Sequence, residues 1–434
     1  MIRRPPRSTP SNSSAASDVY KRQDEEGAGQ FDGTIDDANT IKVGLLVPYS
    51  GECAAYGSSI ARAVQLAVNE INDAGGVLGK EIAIIKRDSK TDPLHSFLIA
   101  RELVQDDGVI AIFGGENSDV SMEIYDAVND MKVLQISGSA PATILSGEED
   151  YFFRTAPDVR NEANTIANYM LQGLADSNAK VIFVNDSCGN LFRKWFCDFR
   201  FRSPYGKTLR TVDFESGKTS YAAEIESLFA PVPPEIDSLP TYGGDTIIIL
   251  YAYPQSGAQI IRDWKASGYG GKWILCSGLK AEEFVISAGI ENVEGLQGFA
   301  PFSGEIAYEY FKDEYEEYWN EDPRLHRNTE HWYDAMILFA YAILQMGTTH
   351  PESLWAESWL EAMAMISDSP GEEVTVGEFT IGKRKIELGD TIFYSGAAGP
   401  IKIDEYGDFD ADIKFEVWEI HDGSFLHIDE VVGF

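Results

Sequence analysis

Residues 41–76 read IKVGLLVPYSGECAAYGSSIARAVQLAVNEINDAGG, and this stretch decides the fold. Ile41–Val47 is a continuous apolar run, the pattern of a strand covered on both faces of a parallel sheet. Pro48 to Gly57 is a loop of Gly, Ser and Pro. Beyond it Ile60, Ala63, Val64, Ala67, Val68 and Ile71 recur at helical spacing and make one apolar stripe. Gly75-Gly76 ends that helix, and Ser58 or Ser59 is the expected cap at its start. Strand, polar loop and amphipathic helix form the first half of a βαβ unit.

The alternation continues outward. Strands are expected at Ile82–Lys86, Val109–Phe113 and Val133–Ile136, with helices near Pro93–Gln105 and Ser118–Asn129. A second cycle begins near residue 160. Its strands fall at Val181–Val184, Leu209–Val212, Thr246–Leu250 and Trp273–Leu275, with helices near Ala222–Leu228 and Gly257–Ala266. Residues 230–244 (APVPPEIDSLPTYGG) form a proline-rich loop, longer than most connections. Helices near Ile306–Trp319 and Trp332–Gln345 come next, then a β-rich tail with a hairpin turn at Asp404–Asp408. Strand–helix repetition of this kind specifies doubly wound, mostly parallel sheets with right-handed crossovers. A chain of 434 residues exceeds one compact core, so two α/β lobes are expected.

The ends and the composition narrow the class. Residues 1–23 carry five Lys/Arg and one acid, the reverse of the acidic remainder of the chain, and no apolar core of a secretory signal. They read as a non-native, adaptor-like leader, and residues 24–40 as a flexible acidic tether. No apolar run approaches the roughly 18 residues of a membrane span; Ala335–Met346 reads as a core helix. The net charge is −35, from 70 acidic and 35 basic residues, which excludes nucleic acid as a partner. A solubilising acidic surface is the direct reading, and attraction of a cationic ligand the alternative.

Signatures of chemistry are lacking. There is no P-loop, zinc-protease helix or Gly-x-Ser-x-Gly elbow. His326 and His331 are off the i, i+4 metal spacing, and a calcium loop opening at Asp408 would place Ile413 where glycine is required. Cys53, Cys188, Cys197 and Cys276 are too few and scattered for a scaffold. A helix between Cys188 and Cys197 would hold them about 13 Å apart, beyond disulfide reach. Cys188 as a nucleophile needs a base, and no histidine is near it in sequence. No enzyme, metal or cofactor is expected.

What remains is architecture. In open α/β sheets ligands sit beyond the carboxyl ends of the strands, where helix N-termini present free N–H groups. Those loops are rich here in small polar and aromatic residues. The first lobe offers Tyr49–Tyr56, Gly114–Ser118 and Ser137–Ala140; the second offers Asp186–Gly189, Tyr251–Tyr253 and Cys276–Gly278. Facing loop sets would line a cleft, although Ser and Gly at such places also serve plain turn chemistry.

Residues 43–93 resemble the opening of type I periplasmic binding proteins, the branched-chain amino-acid (Leu/Ile/Val) receptors of ABC importers in particular. The likeness extends through 112–145, FFRTAPDV (152–159), FVNDSCGN (183–190), ILCSGLKAEEFV (274–285) and 394–420. It implies two Rossmann-like doubly wound lobes joined by a three-crossover hinge. Lobe 1 is expected over 41–158 plus 297–365, and lobe 2 over 159–296 plus 366–434. It also implies a ligand site at Tyr56, Glu116, Asn117, Ser118, Ser137, Ser139, Ala140, Asp186, Cys188, Tyr251, Tyr253 and Ser277.

The carry-over has departures. Pro141 stands where the family places a Thr that holds the ligand ammonium, and proline offers neither hydroxyl nor N–H. Cys188 replaces a tyrosine, and the acid that pairs with the ammonium is missing near Ser277-Gly278. Unless Glu116 supplies that charge, an amide, urea-like, aromatic or organic-acid ligand stays as open as an amino acid. The expectation is a monomeric receptor that closes on a small solute and docks on an importer permease. It would work in the periplasm or outside the cell, with a lipid anchor on a lost N-terminal signal an option. The same fold as a ligand sensor for a signalling partner is the alternative.

Overall fold

A computed structural model describes residues 39–433 except 148–149, 173, 175–177, 203–206, 233–245, 303–305, 348–355, 368–369 and 411–412. The leader, nearly all of the tether and most of the proline-rich loop lie outside the described residues.

The first sheet is five parallel strands in the order β2-β1-β3-β4-β5. Its members are β1 (Thr40–Val47), β2 (Glu81–Asp88), β3 (Ala111–Gly114), β4 (Leu134–Ser137) and β5 (Phe152–Arg154). Val43, Leu45, Leu46 and Val47 are fully buried, as a run without alternation requires. Helices α1 (Gly57–Asp73), α2 (Pro93–Gln105) and α3 (Ser118–Val128) connect the strands. Neither expected serine caps α1. The helix opens at Gly57 with no side-chain cap, and the Ser59 hydroxyl donates to the Tyr56 carbonyl at 2.9 Å. Its end is as read: Gly75 and Gly76 take φ of +81° and +67°. A Cβ on Gly76 would stand 2.0 Å from the Lys80 carbonyl oxygen.

The second sheet has seven strands, β15-β14-β10-β9-β8-β6-β7. Along the chain come α4 (Val159–Gln172), β6 (Asn178–Val184), α5 (Ser187–Phe201), β7 (Thr208–Phe214), α6 (Ala222–Phe229) and β8 (Thr246–Tyr251). Then come α7 (Pro254–Ser267), β9 (Lys272–Leu275), α8 (Glu282–Ala288), α9 (Ile290–Val293) and β10 (Gln297–Phe302). The portion β7-β6-β8-β9-β10 repeats the strand order of the first sheet. Each sheet therefore reverses direction beside its first strand, between β1 and β3 and between β6 and β8, and such a switch point opens a crevice.

After β10 the chain returns to the first sheet's side. Helix α10 (Ile306–Trp319) is followed by α11 (Thr329–Met346), which packs along α1 and is buried from Thr329 to Leu344. Next come α12 (Ala356–Ser367) and a small sheet of β11 (Glu372–Thr375), β12 (Ile392–Gly396) and β13 (Gly399–Pro400), with α13 (Phe379–Glu387) inserted. A last passage leads to β14 (Lys414–His421) and β15 (Ser424–Val432), antiparallel on the second sheet. The two lobes of a type I periplasmic binding fold are thus joined by three passages of chain.

The expected boundaries at 297 and 366 do not coincide with the sheets. β10 is hydrogen bonded to β9 and β14, so 297–302 belongs with the second sheet. β11 and β12 pack with α12, α13 and α11, so the return extends well past 365. Pro301 inside β10 disguised that strand, because proline argues against a central strand. The turn at Asp404–Asp408 is present: Asp404 Oδ1 accepts from the main-chain N–H groups of Tyr406 and Asp408, and Ile403 bridges Phe409.

Candidate functional site

The loops beyond the carboxyl ends of the two sheets meet. Four links join them: Tyr56 Oη donates to the Gly278 carbonyl (2.5 Å), Ser118 Oγ meets Cys188 Sγ (3.1 Å), Ser256 N donates to Glu52 Oε1 (2.9 Å) and Gln255 Nε2 to the Gly51 carbonyl (3.1 Å). Eleven of the twelve residues expected at the site are buried here, Asp186 being half-buried, and the two lobes stand closed on one another.

Each polar group among them has a definite task. Asn117 caps α3 by accepting from Val120 N at 2.9 Å, and Asp186 caps α5 by accepting from Gly189 N at 2.7 Å. The second oxygen of Asp186 takes the Tyr253 hydroxyl at 2.6 Å, and burial raises its carboxyl to about 6. Ser137 Oγ donates to the Gly115 carbonyl and receives the Ala140 N–H; Ser139 Oγ donates to the Glu116 carbonyl. These serines stitch the loop after β4 to the loop after β3. The Ala140 carbonyl, expected from the resemblance to meet a ligand ammonium, accepts from Arg154 Nη1 at 3.0 Å. Tyr251 stacks on Phe192 with centroids 4.6 Å apart. Burial raises the hydroxyls of Tyr56, Tyr251 and Tyr253, so all three are neutral donors.

Glu116 does not provide the missing negative charge. It is buried against Ser89 Oγ (3.2 Å), and desolvation raises its carboxyl to about 8, so it holds its proton at neutral pH. Pro141 supplies only its carbonyl, which receives the N–H of Val159.

Sequence reasoning missed two residues. Glu162, in the first turn of α4, is buried and accepts from Ser277 N (2.6 Å) and Ser277 Oγ (3.0 Å), one with each oxygen. Arg327 lies on the short segment before α11. A β-bridge between His326 and Ala281 fixes that segment beside Gly278. The half-buried guanidinium lies 5.9 Å from the Tyr56 ring centroid, and Glu162, Tyr251 and Cys188 all feel its charge. It makes no ion pair among the described residues, and its buried Nε has no partner. Arg327 also lines a cavity of about 230 Å³ with His326, Asn328, Lys280, Phe302 and Tyr308.

All four cysteines are free, and α5 separates Cys188 from Cys197 as a straight helix would. Among the described residues, the one group with metal-ligand spacing is the exposed Glu294, His421 and Asp422, away from the cleft. No helix among them is long and apolar enough to cross a membrane.

Comparison with known proteins fits this geometry. The family described as periplasmic binding protein matches residues 40–382. A chemotactic signal transduction system substrate-binding protein, BasB of Halobacterium salinarum, is 23% identical over 84% of this chain and 83% of its own length. The leucine-binding protein LivK of Thermotoga maritima superposes with a TM-score of 0.71 at 19% identity, covering 90% of this chain and 98% of its own. A solute-binding protein of an ABC transporter from R. palustris, in complex with benzoate, superposes with a TM-score of 0.70 at 18% identity, covering 91% and 97%. With two sheets of matching strand order, three passages between them and a cleft of facing loops, the chain belongs to the periplasmic binding protein family.

Proposed function

We propose that this protein is the extracytoplasmic receptor of an ABC importer, which captures a small solute by hinge closure and presents it to the permease. The observation that carries the reading is the set of four links between loops of opposite lobes, which can form only when the cleft is shut. An open form that lacks them and a closed form that solute stabilises make a binding switch. Branched-chain amino acids and aromatic acids are the first solutes to try, since similar folds include a leucine-binding protein and a solute-binding protein in complex with benzoate. No reaction is assigned to the site.

Likeness to BasB favours one alternative, a receptor that feeds a chemotactic partner. The test is a thermal-shift and small-angle scattering screen of the full chain. Ligand at about 100 times its Kd adds about 2.7 kcal/mol, which raises the melting point while the radius of gyration falls. Absence of both responses across amino acids, amides and carboxylates sinks the reading. Solute-dependent ATPase stimulation of a reconstituted importer supports transport, and its absence despite tight binding supports sensing.

A further inference from the structure

We propose that the captured solute is a small carboxylate with an uncharged body, and that Arg327 receives its acid group. The inference rests on the receptor reading and names the solute class of that same cleft. Arg327 stands at the meeting point of both lobes, with the Tyr56 ring on one side and Gly278 of the second lobe on another: a Cβ on Gly278 would come 3.4 Å from its Nη1. A half-buried guanidinium with no ion pair among the described residues, and with its buried Nε unsatisfied, is a ready receiver for an anion. A carboxylate suits its planar fork, which offers parallel N–H donors.

The acids of α4 and of the facing loops are already hydrogen bonded. Glu162 gives both oxygens to Ser277, and Asp186 gives one to the α5 N-terminus and one to Tyr253. Glu116 accepts from Ser89 Oγ. The carbonyls of Ala140 and Ala142 both accept from Arg154. Among the described residues the cleft thus holds a cation without an ion pair, and a carboxylate is the group that Arg327 matches. Tyr56, Tyr251 and Tyr253, buried between the closed lobes, would supply aromatic walls for an apolar body once the cleft opens to admit it. Behind Arg327, the cavity is also lined by His326 and Asn328, whose buried Nδ1 and Oδ1 have no partner; a hydroxyl on the body would satisfy either.

The test is calorimetric titration of the full chain with matched pairs: isocaproate against isocaproamide, and benzoate against benzamide, with leucine as the zwitterion. In the wild type at least one acid binds, about tenfold or more tighter than its amide, as expected for a charge-assisted hydrogen-bonded pair. R327M loses about tenfold or more toward the acid and little toward the amide, and R327K falls between them. Melting curves establish that the variants fold; should R327M not fold, the wild-type pairs and R327K decide. Amides binding as tightly as acids, leucine outcompeting both acids, or an unchanged acid Kd in R327M overturns the carboxylate assignment and leaves the receptor standing. No binding by any member of the panel overturns the receptor reading and this inference with it.

Discussion

Tyr56 and Gly278 lie 222 residues apart and are joined by a 2.5 Å hydrogen bond from the phenol O–H to the main-chain carbonyl. One belongs to the loop after β1 and the other to the turn after β9, so the bond exists only in the closed molecule. The raised pKa of Tyr56 keeps the proton that makes the bond.

Tyr56→Phe removes that bond and leaves the ring. A neutral hydrogen bond contributes about 0.5–1.5 kcal/mol, so solute affinity should fall about two- to tenfold. The melting point of the unliganded protein should hardly move. Tyr56→Ala and Tyr253→Ala should weaken binding further without unfolding the chain. Calorimetry beside a melting curve makes the check, and unchanged affinity in all three variants would show that the cleft is elsewhere.

The thiols offer a second handle on closure. Cys53, Cys188 and Cys276 are buried, and burial raises their pKa values, Cys188 to about 12, while Cys197 is half-buried. A thiolate-selective reagent should therefore label Cys197 first, since the thiolate is the reactive form. Cys188 meets Ser118 across the lobes, so opening should expose it and saturating solute should slow its labelling. Mass spectrometry of labelled peptides reads this directly. A Cys188 rate indifferent to a solute that binds would mean that binding does not shut the cleft.

How far the fold was legible depends on its physics. β1 and α1 were plain because a doubly covered strand and a one-sided helix leave opposite hydrophobic patterns within one short window. α5 was harder: Phe192, Trp195, Phe196 and Phe199 have modest helix propensity, and the Asp186 cap does much of the nucleation. The loops of the site could be named because strand ends locate them. Their tasks could not, since whether Ser137 holds a ligand or the Gly115 carbonyl is a matter of tertiary geometry. Arg327 carried no local signal. It sits in Arg324-Leu325-His326-Arg327, between two expected helices, and the Ala281–His326 bridge brings it to the cleft.

Glu116 should make stability fall with rising pH. Its folded-state carboxyl is raised to about 8, above the ordinary Glu value of about 4.3. The native chain therefore binds more protons than the unfolded chain between those values. Its contribution is fully present below the unfolded value and is lost as pH rises through about 8. Glu116→Gln keeps the shape without the titration, so its melting point should depend less on pH between 5 and 8 and exceed that of the wild type at the upper end. Parallel slopes for the two proteins would contradict this.

Arg154 ties two of the three passages between the lobes. It ends β5, just before the first passage, and is 2% exposed. Its guanidinium holds the Ala140 and Ala142 carbonyls and pairs with Asp408 at 2.7 Å, while its main-chain N–H donates to the Gly407 carbonyl on the last passage. Arg154→Met should cost about 3–5 kcal/mol, because it leaves the buried Asp408 carboxylate without its cation. Asp408→Asn should cost less, since the arginine keeps its carbonyl acceptors. The double variant should be less damaged than the sum of the two singles, the excess measuring the pair itself. Denaturant titrations of the four proteins supply the cycle. Strict additivity would mean that the pair is not coupled, and that the carbonyl contacts of Arg154 alone secure the first passage.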